Sequence, residues 1–219
     1  MARARSGAAE GLWIRAGRQV SGRGRQGRGW SSDPGNLAAS TLVRVRAGDP
    51  PAATLALLAA VALQDVLATI APVVPIRIKW PNDLMVGEAK LSGILLERAG
   101  DAVVIGFGVN LASAPAIDGR SVTSLTQAAG IGADPAVVAD MLAETLARWI
   151  AIWRRDGLEP VRSRWLAVAH PVGTALRVRT VADADGIDGL FAGLDCDGGL
   201  LLRTVDGVRT VHAGDVFLL

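Results

Sequence analysis

The chain has 219 residues, enough for one large domain, or for a main domain with a small appendage, around a sizeable core. Its 23 lysines and arginines against 21 acidic residues leave a net charge of +2, which makes no global electrostatic case for nucleic acid or membrane as a partner. A chain that is 50% hydrophobic and 20% charged is not intrinsically disordered, and a single cysteine, Cys196, excludes an internal disulfide framework and a cysteine-based zinc site.

The first residues carry positive charge without a following hydrophobic stretch, so no secretory signal is expected and the cytoplasm is the default. Leu12–Ala16 reads as a short strand entering a glycine-arginine loop, Gly22–Gly29. Beyond the Asp33-Pro34-Gly35 turn, Asn36–Arg46 reads as a strand, and Thr54–Ile70 as a long helix, apolar nearly all round and therefore buried. The longest apolar run, Pro50–Leu63, is too short to cross a bilayer. Pro72 and Pro75 end the helix.

Ile76–Trp80 and Asp83–Val86 read as extended segments, followed by a hairpin of Leu91–Arg98 and Ala102–Leu111. Apolar residues then recur at helical spacing from Pro135 to Arg155, and a second helix runs from Leu158 to Ala169. Past Gly173 the texture changes to five short strands separated by Asp-Gly turns, which predicts a small barrel. The division is expected at 1–171 and 172–219.

One imbalance among the cations stands out: of the 23, only Lys79 and Lys90 are lysines. Arginine bias can be genomic, yet these two ammonium groups flank one motif, and a compact point charge serves some chemistry that a planar guanidinium does not. Gly22, Gly24 and Gly27 match the spacing of a dinucleotide-binding fingerprint, but no helix can open at Trp30-Ser-Ser-Asp-Pro-Gly and no suitably placed acid follows. The Arg-Gly alternation also suits a solvated surface loop, a nucleic-acid tether, or a flap whose guanidinium forks close on carboxylate or phosphate oxygens.

Four motifs together resemble the biotin protein ligases: Gly22-Arg-Gly-Arg-Gln-Gly-Arg-Gly-Trp30, Lys79-Trp-Pro-Asn-Asp-Leu84, Lys90-Leu-Ser-Gly-Ile-Leu-Leu-Glu97 and Ile105-Gly-Phe-Gly-Val-Asn-Leu111. The resemblance implies an α+β catalytic domain, with a mixed sheet flanked by helices, followed by a small SH3-like β-barrel. It implies an ATP-dependent ligase that activates biotin as biotinyl-5′-AMP and passes it to a lysine of a biotin carboxyl-carrier domain. The first step sets a carboxylate against a phosphate, so the site needs concentrated cations in a water-poor cavity. The second needs the mixed anhydride shielded from water.

By position, the resemblance implies Lys90, Arg25 and Asp83 as catalytic residues. Gln19, Arg23, Gly24, Arg25, Lys90 and Gly93 would bind biotin, Gly93 by letting backbone approach the ring. Arg25, Arg28, Trp30, Asn82 and Asn110 would bind nucleotide, Trp30 by stacking on adenine. Asp83 would also hold Mg2+ and meet the incoming lysine amine, since magnesium needs few carboxylates when phosphates and waters complete its shell. Trp80-Pro81, Gly106, Gly108 and Glu97 have bland readings as strand-end, close-packing and solvated residues.

The family has a strand and helix with a Ser-Thr-Asn motif before the glycine-arginine loop. Here Met1–Gly11 alone precede the first strand, so the biotin pocket's first strand and helix are expected to be incomplete, with Ala2–Glu10 as the helix's tail. Without a winged-helix segment, no operator binding is expected, and homodimerisation is left open. His170 and His212 lack partners for a triad or metal cluster, Cys196 lacks basic neighbours, and Trp149 and Trp153 share one helix face, so all five read as structural. Two other functions stay open: a lipoate or octanoate ligase or transferase, and a non-catalytic module that binds biotin or nucleic acid.

Overall fold

Strand alternation builds a six-stranded sheet with one face for the core and one for a cleft. The structure, a computed structural model, describes residues 1–183 and 185–219. It opens with α1 (Ala2–Arg5), β1 (Trp13–Ala16), a short hairpin of β2 (Gln19–Arg23) and β3 (Gly29–Ser32), β4 (Leu37–Arg44) and the long α2 (Leu55–Ile70). Next come β5 (Ile76–Lys79), β6 (Asp83–Val86), β7 (Ala89–Ala99) and β8 (Ala102–Val109). The sheet order is β1-β4-β8-β7-β6-β5.

All five ladders of this sheet are antiparallel. The α+β class is as expected, but the sheet is not mixed: parallel pairing is confined to isolated bridges, Ile78 with Ala169 and Lys90 with Val122. Tight turns explain the direction for β5 to β8, which follow one another in the chain. Ala99 pairs with Ala102 across a two-residue turn in which Gly100 adopts φ 63°, and such a turn can join only antiparallel strands.

On β8, Val103, Ile105 and Val109 enter the core, whereas Val104, Gly106 and Gly108 line the opposite face. On β7 a bulge at Leu91 shifts this alternation, because Ser92 lies opposite Leu84 but Lys90 lies opposite Met85. The extra residue brings Lys90 and Gly93, of opposite parity, to the same face of the sheet.

Three helices complete the main body: α3 (Leu125–Ala129), α4 (Pro135–Asp156) and α5 (Glu159–Val168). Asp134 caps α4, its carboxylate accepting from the Ala136 amide at 2.8 Å, and Pro135 occupies the first turn. Val138, Leu142, Thr145, Leu146 and Trp153 form its buried face. The sequence reading lacked α3, which is shorter than hydrophobic periodicity can register; its signal is the reciprocal capping box of Ser124 and Gln127. With its preceding turn, α2 spans 52–70 and is long and apolar enough to cross a membrane, beyond what the run 50–63 suggested. It is instead the central core helix, buried with α4, α5 and the sheet around it.

The C-terminal strands β9 (Ala175–Arg179), β10 (Ile187–Leu194), β11 (Leu200–Thr204), β12 (Gly207–Val211) and β13 (Asp215–Leu218) form an antiparallel sheet ordered β12-β11-β10-β9-β13. Its interior joins the main core: Phe191 meets Trp165 edge-on, with ring centres 6.2 Å apart. The Trp80 indole N–H also donates to the Gly198 carbonyl at 3.1 Å. Trp80 is thus a buried interdomain anchor rather than merely a strand end.

Candidate active site

The β2–β3 hairpin lies over the sheet's open face and roofs a cleft of about 780 Å³, a size suited to a small-molecule site. The glycine-arginine segment is therefore more than a loop. Gly22 pairs with Trp30 and Arg23 with Gly29, leaving a tight turn at Arg25–Gly27 in which Gln26 and Gly27 adopt positive φ. Glycine at 22 is required by close approach, since a Cβ there would run into the Trp30 carbonyl.

Arg25, Lys90 and Asp83 all line this one cleft, as do Gln19, Arg23, Gly24, Gly93, Trp30, Asn82, Asn110 and Arg28. Its floor is a pair of cross-strand glycines, Gly93 and Gly108, on β7 and β8. The Trp30 indole rests on them, and a Cβ on Gly108 would intrude into its ring. Lys90 Nζ lies 5.8 Å from the ring centre. The Trp30 ring, expected to stack on adenine, thus borders Gly93, the position implied for biotin's ring system.

Asp83 sits between two ammonium groups. Lys90 Nζ donates to its Oδ1 at 2.6 Å, and Lys79 Nζ lies 3.6 Å from its Oδ2. Burial lowers the Lys79 pKa from its ordinary value, and the Lys90 charge acts in the same direction, opposed by Asp83.

The loop arginines reach the C-terminal sheet. Arg25 donates to Asn82 Oδ1 at 3.3 Å and to the Gly214 carbonyl at 3.0 Å. Arg28 grips both oxygens of Asp215 at 2.7 and 2.8 Å, and also donates to Gln26. The two asparagines expected to touch nucleotide line the cleft and make hydrogen bonds within the protein. Asn82 accepts from Arg25 and donates to the Ile94 carbonyl, while the Asn110 carboxamide donates to Thr123 O at 3.0 Å.

Sequence reasoning singled out Lys79 without placing it against Asp83, and missed Asp215 and Gly214 as partners of the arginines and Gly108 as part of the floor. The Gly106-Phe-Gly108 alternation was the available signal for Gly108. Asp215 had none, because it lies 187 positions from Arg28. The pKa of His170, read as structural, is lowered by burial and by the charges of Lys79 and Arg77. Among the described residues there is no cluster of three or more His, Cys, Asp or Glu side chains placed to hold a metal.

The model of the Biotin/lipoate A/B protein ligase family matches residues 5–110, and that of the Biotin protein ligase C terminal domain matches residues 177–219. A biotin--[acetyl-CoA-carboxylase] ligase of Paracoccus denitrificans is 39% identical over 94% of this chain and 89% of its own length. The one from Mycobacterium tuberculosis is 33% identical over 99% of this chain and 82% of its own. Among solved structures, the biotin protein ligase of Aquifex aeolicus in complex with biotin and ATP shares the fold with a TM-score of 0.89 at 23% identity, covering 100% of this chain and 94% of that one.

Proposed function

The chain belongs to the biotin protein ligases, and we propose that the cleft beneath the β2–β3 hairpin is where it performs ATP-dependent biotin ligation. The reaction joins biotin's carboxylate to the α-phosphorus of ATP with departure of pyrophosphate. The amine of a carrier-domain lysine then takes the acyl group and AMP leaves. The observation that carries this reading is the convergence of Arg25, Lys90, Lys79 and Asp83 on one partly buried cleft.

In this reading residues 1–171 form the catalytic unit and 172–219 the barrel. Two mutually repelling anions meet beside Arg25 and Lys90, whose charges count for more in a cleft than in open water. Gln19, Arg23, Gly24 and Gly93 lie at the biotin end, with Trp30 closing over the ring. Arg28, held by Asp215, steadies the hairpin that keeps water from the mixed anhydride. The partner is a biotin carboxyl-carrier domain met in the cytoplasm, and no role on DNA or at a membrane belongs to this reading.

While both ammonium groups stay on it, Asp83 does not fit the Mg2+ role implied by resemblance. Its two oxygens already face two ammonium groups, so a divalent ion there would stand against both or displace Lys90.

Pyrophosphate release with ATP tests the function. Release that depends on biotin, followed by label transfer to a carrier domain, is expected. Release with lipoate or octanoate instead would reassign the acyl substrate, and none with any of them would overturn the ligase reading.

A further inference from the structure

We propose that Lys79 is a positioning residue of the ligation reaction: as the second ammonium on Asp83, it keeps that carboxylate compensated when Lys90 turns to the anionic oxygens of the substrates. The inference rests on the site reading above and adds to it a group with no assigned role.

The geometry comes from three adjacent strands. Lys79, the last residue of β5, is the cross-strand partner of Asp83, the first residue of β6. Lys90 reaches the same carboxylate from β7, where it lies opposite Met85. Asp83 therefore has one ammonium on each flank, each addressing its own oxygen. Lys90 is the more exposed, at 31% of its side chain against 17% for Lys79, and it is the one beside the Trp30 ring.

This asymmetry divides the work. A buried carboxylate that loses its single cation is strongly destabilised, so a lone Asp83–Lys90 pair would hold Lys90 back from the substrates. With Lys79 staying on Oδ2, Lys90 can leave Oδ1 without stranding a bare charge. Both roles call for a compact ammonium between closely spaced strands, which fits the retention of lysine at these two positions alone among 23 cations.

The test compares adenylate formation, followed by pyrophosphate release, in K79M, K79R, D83N, the K79M/D83N double variant and K90A. K79M is expected to lower kcat about tenfold while KM for biotin stays within about twofold, and the double variant to be no slower than D83N alone. K79R, which keeps the charge, is expected to lose less than K79M and carries the test if K79M does not fold. Wild-type kcat in K79M, equal losses in K79R and K79M, or losses that multiply in the D83N background would each overturn the proposal. If K90A retains full adenylation, the site reading itself fails; loss in K90A with an unaffected K79M removes only the role of Lys79.

Discussion

Arg28 and Asp215, 187 positions apart, form a two-pronged ion pair that ties the tip of the β2–β3 hairpin to the C-terminal sheet. The barrel thus reaches the roof of the cleft as well as the core. Both side chains are partly exposed, at 35% and 24%, so the pair contributes at most about 1 kcal/mol to folding. D215N should leave Tm nearly unchanged while a loosened hairpin raises KM for biotin and ATP by about fivefold, the factor equivalent to that energy. Steady-state kinetics check this, and unchanged KM values would mean that the pair does not position the hairpin.

Lys90 places its charge nearest the open cleft, against Asp83 and Trp30. In the proposed reaction, replacing Lys90 with alanine removes a cation that meets developing negative charge, a loss worth about a hundredfold or more in rate. Adenylate formation in K90A should fall by at least that factor while the fold persists, as circular dichroism would show. Undiminished pyrophosphate release would remove Lys90 from the chemistry.

Gly108 and Gly106 occupy the same face of β8 but differ in what lies above them. An added Cβ on Gly108 would enter the Trp30 ring, whereas at Gly106 it would meet the Leu95 carbonyl at 3.7 Å, an ordinary contact. G108A should lift Trp30 from the floor and weaken biotin binding about tenfold, the scale of a displaced contact residue. G106A should bind nearly as wild type. Titration calorimetry on both separates a specific floor from a general intolerance of side chains on this strand.

Glu10 binds Arg154 through both oxygens and also accepts from the Arg44 backbone amide. Chiefly through the Arg154 hydrogen bonds, its pKa falls from 4.5 to about 2. The stability from this depressed carboxylate is fully present above pH 4.5 and is lost as pH falls towards 2. His170 acts in a different window: burial favours its neutral form, so folding is penalised as pH drops below its ordinary 6.5. Melting temperatures measured from pH 7 to pH 2.5 should therefore decline in two stages. E10Q should flatten the lower stage and H170Q the upper; a slope unaltered in either variant would exclude that group as its cause.

The strands and long helices were legible because their signals are local. β-branched and apolar content marked β4, alternation marked β5, a proline start and apolar spacing marked α4, and Asp-Gly turns marked the C-terminal strands. The glycine-arginine segment was harder: glycine and arginine lack strand propensity, and its pairing is set by a turn with positive φ at Gln26 and Gly27 and by the sheet beneath it. The mixed sheet expected from family resemblance gave way to antiparallel ladders because short turns join its successive strands.

The linear order of residues by itself determined the strands, the long helices and the four motifs that carry the family resemblance, with Arg25, Asp83 and Lys90 among their residues, because motifs and periodicity are short-range properties. Tertiary structure alone decided that Lys79 flanks Asp83, that Trp30 lies on Gly93 and Gly108, and that Arg28 belongs to Asp215. Those relationships depend on a bulge at Leu91, on which strands become neighbours, and on how one domain docks against another. Charges and close contacts act through distance in space, and no sequence spacing encodes a distance between strands that meet only after folding.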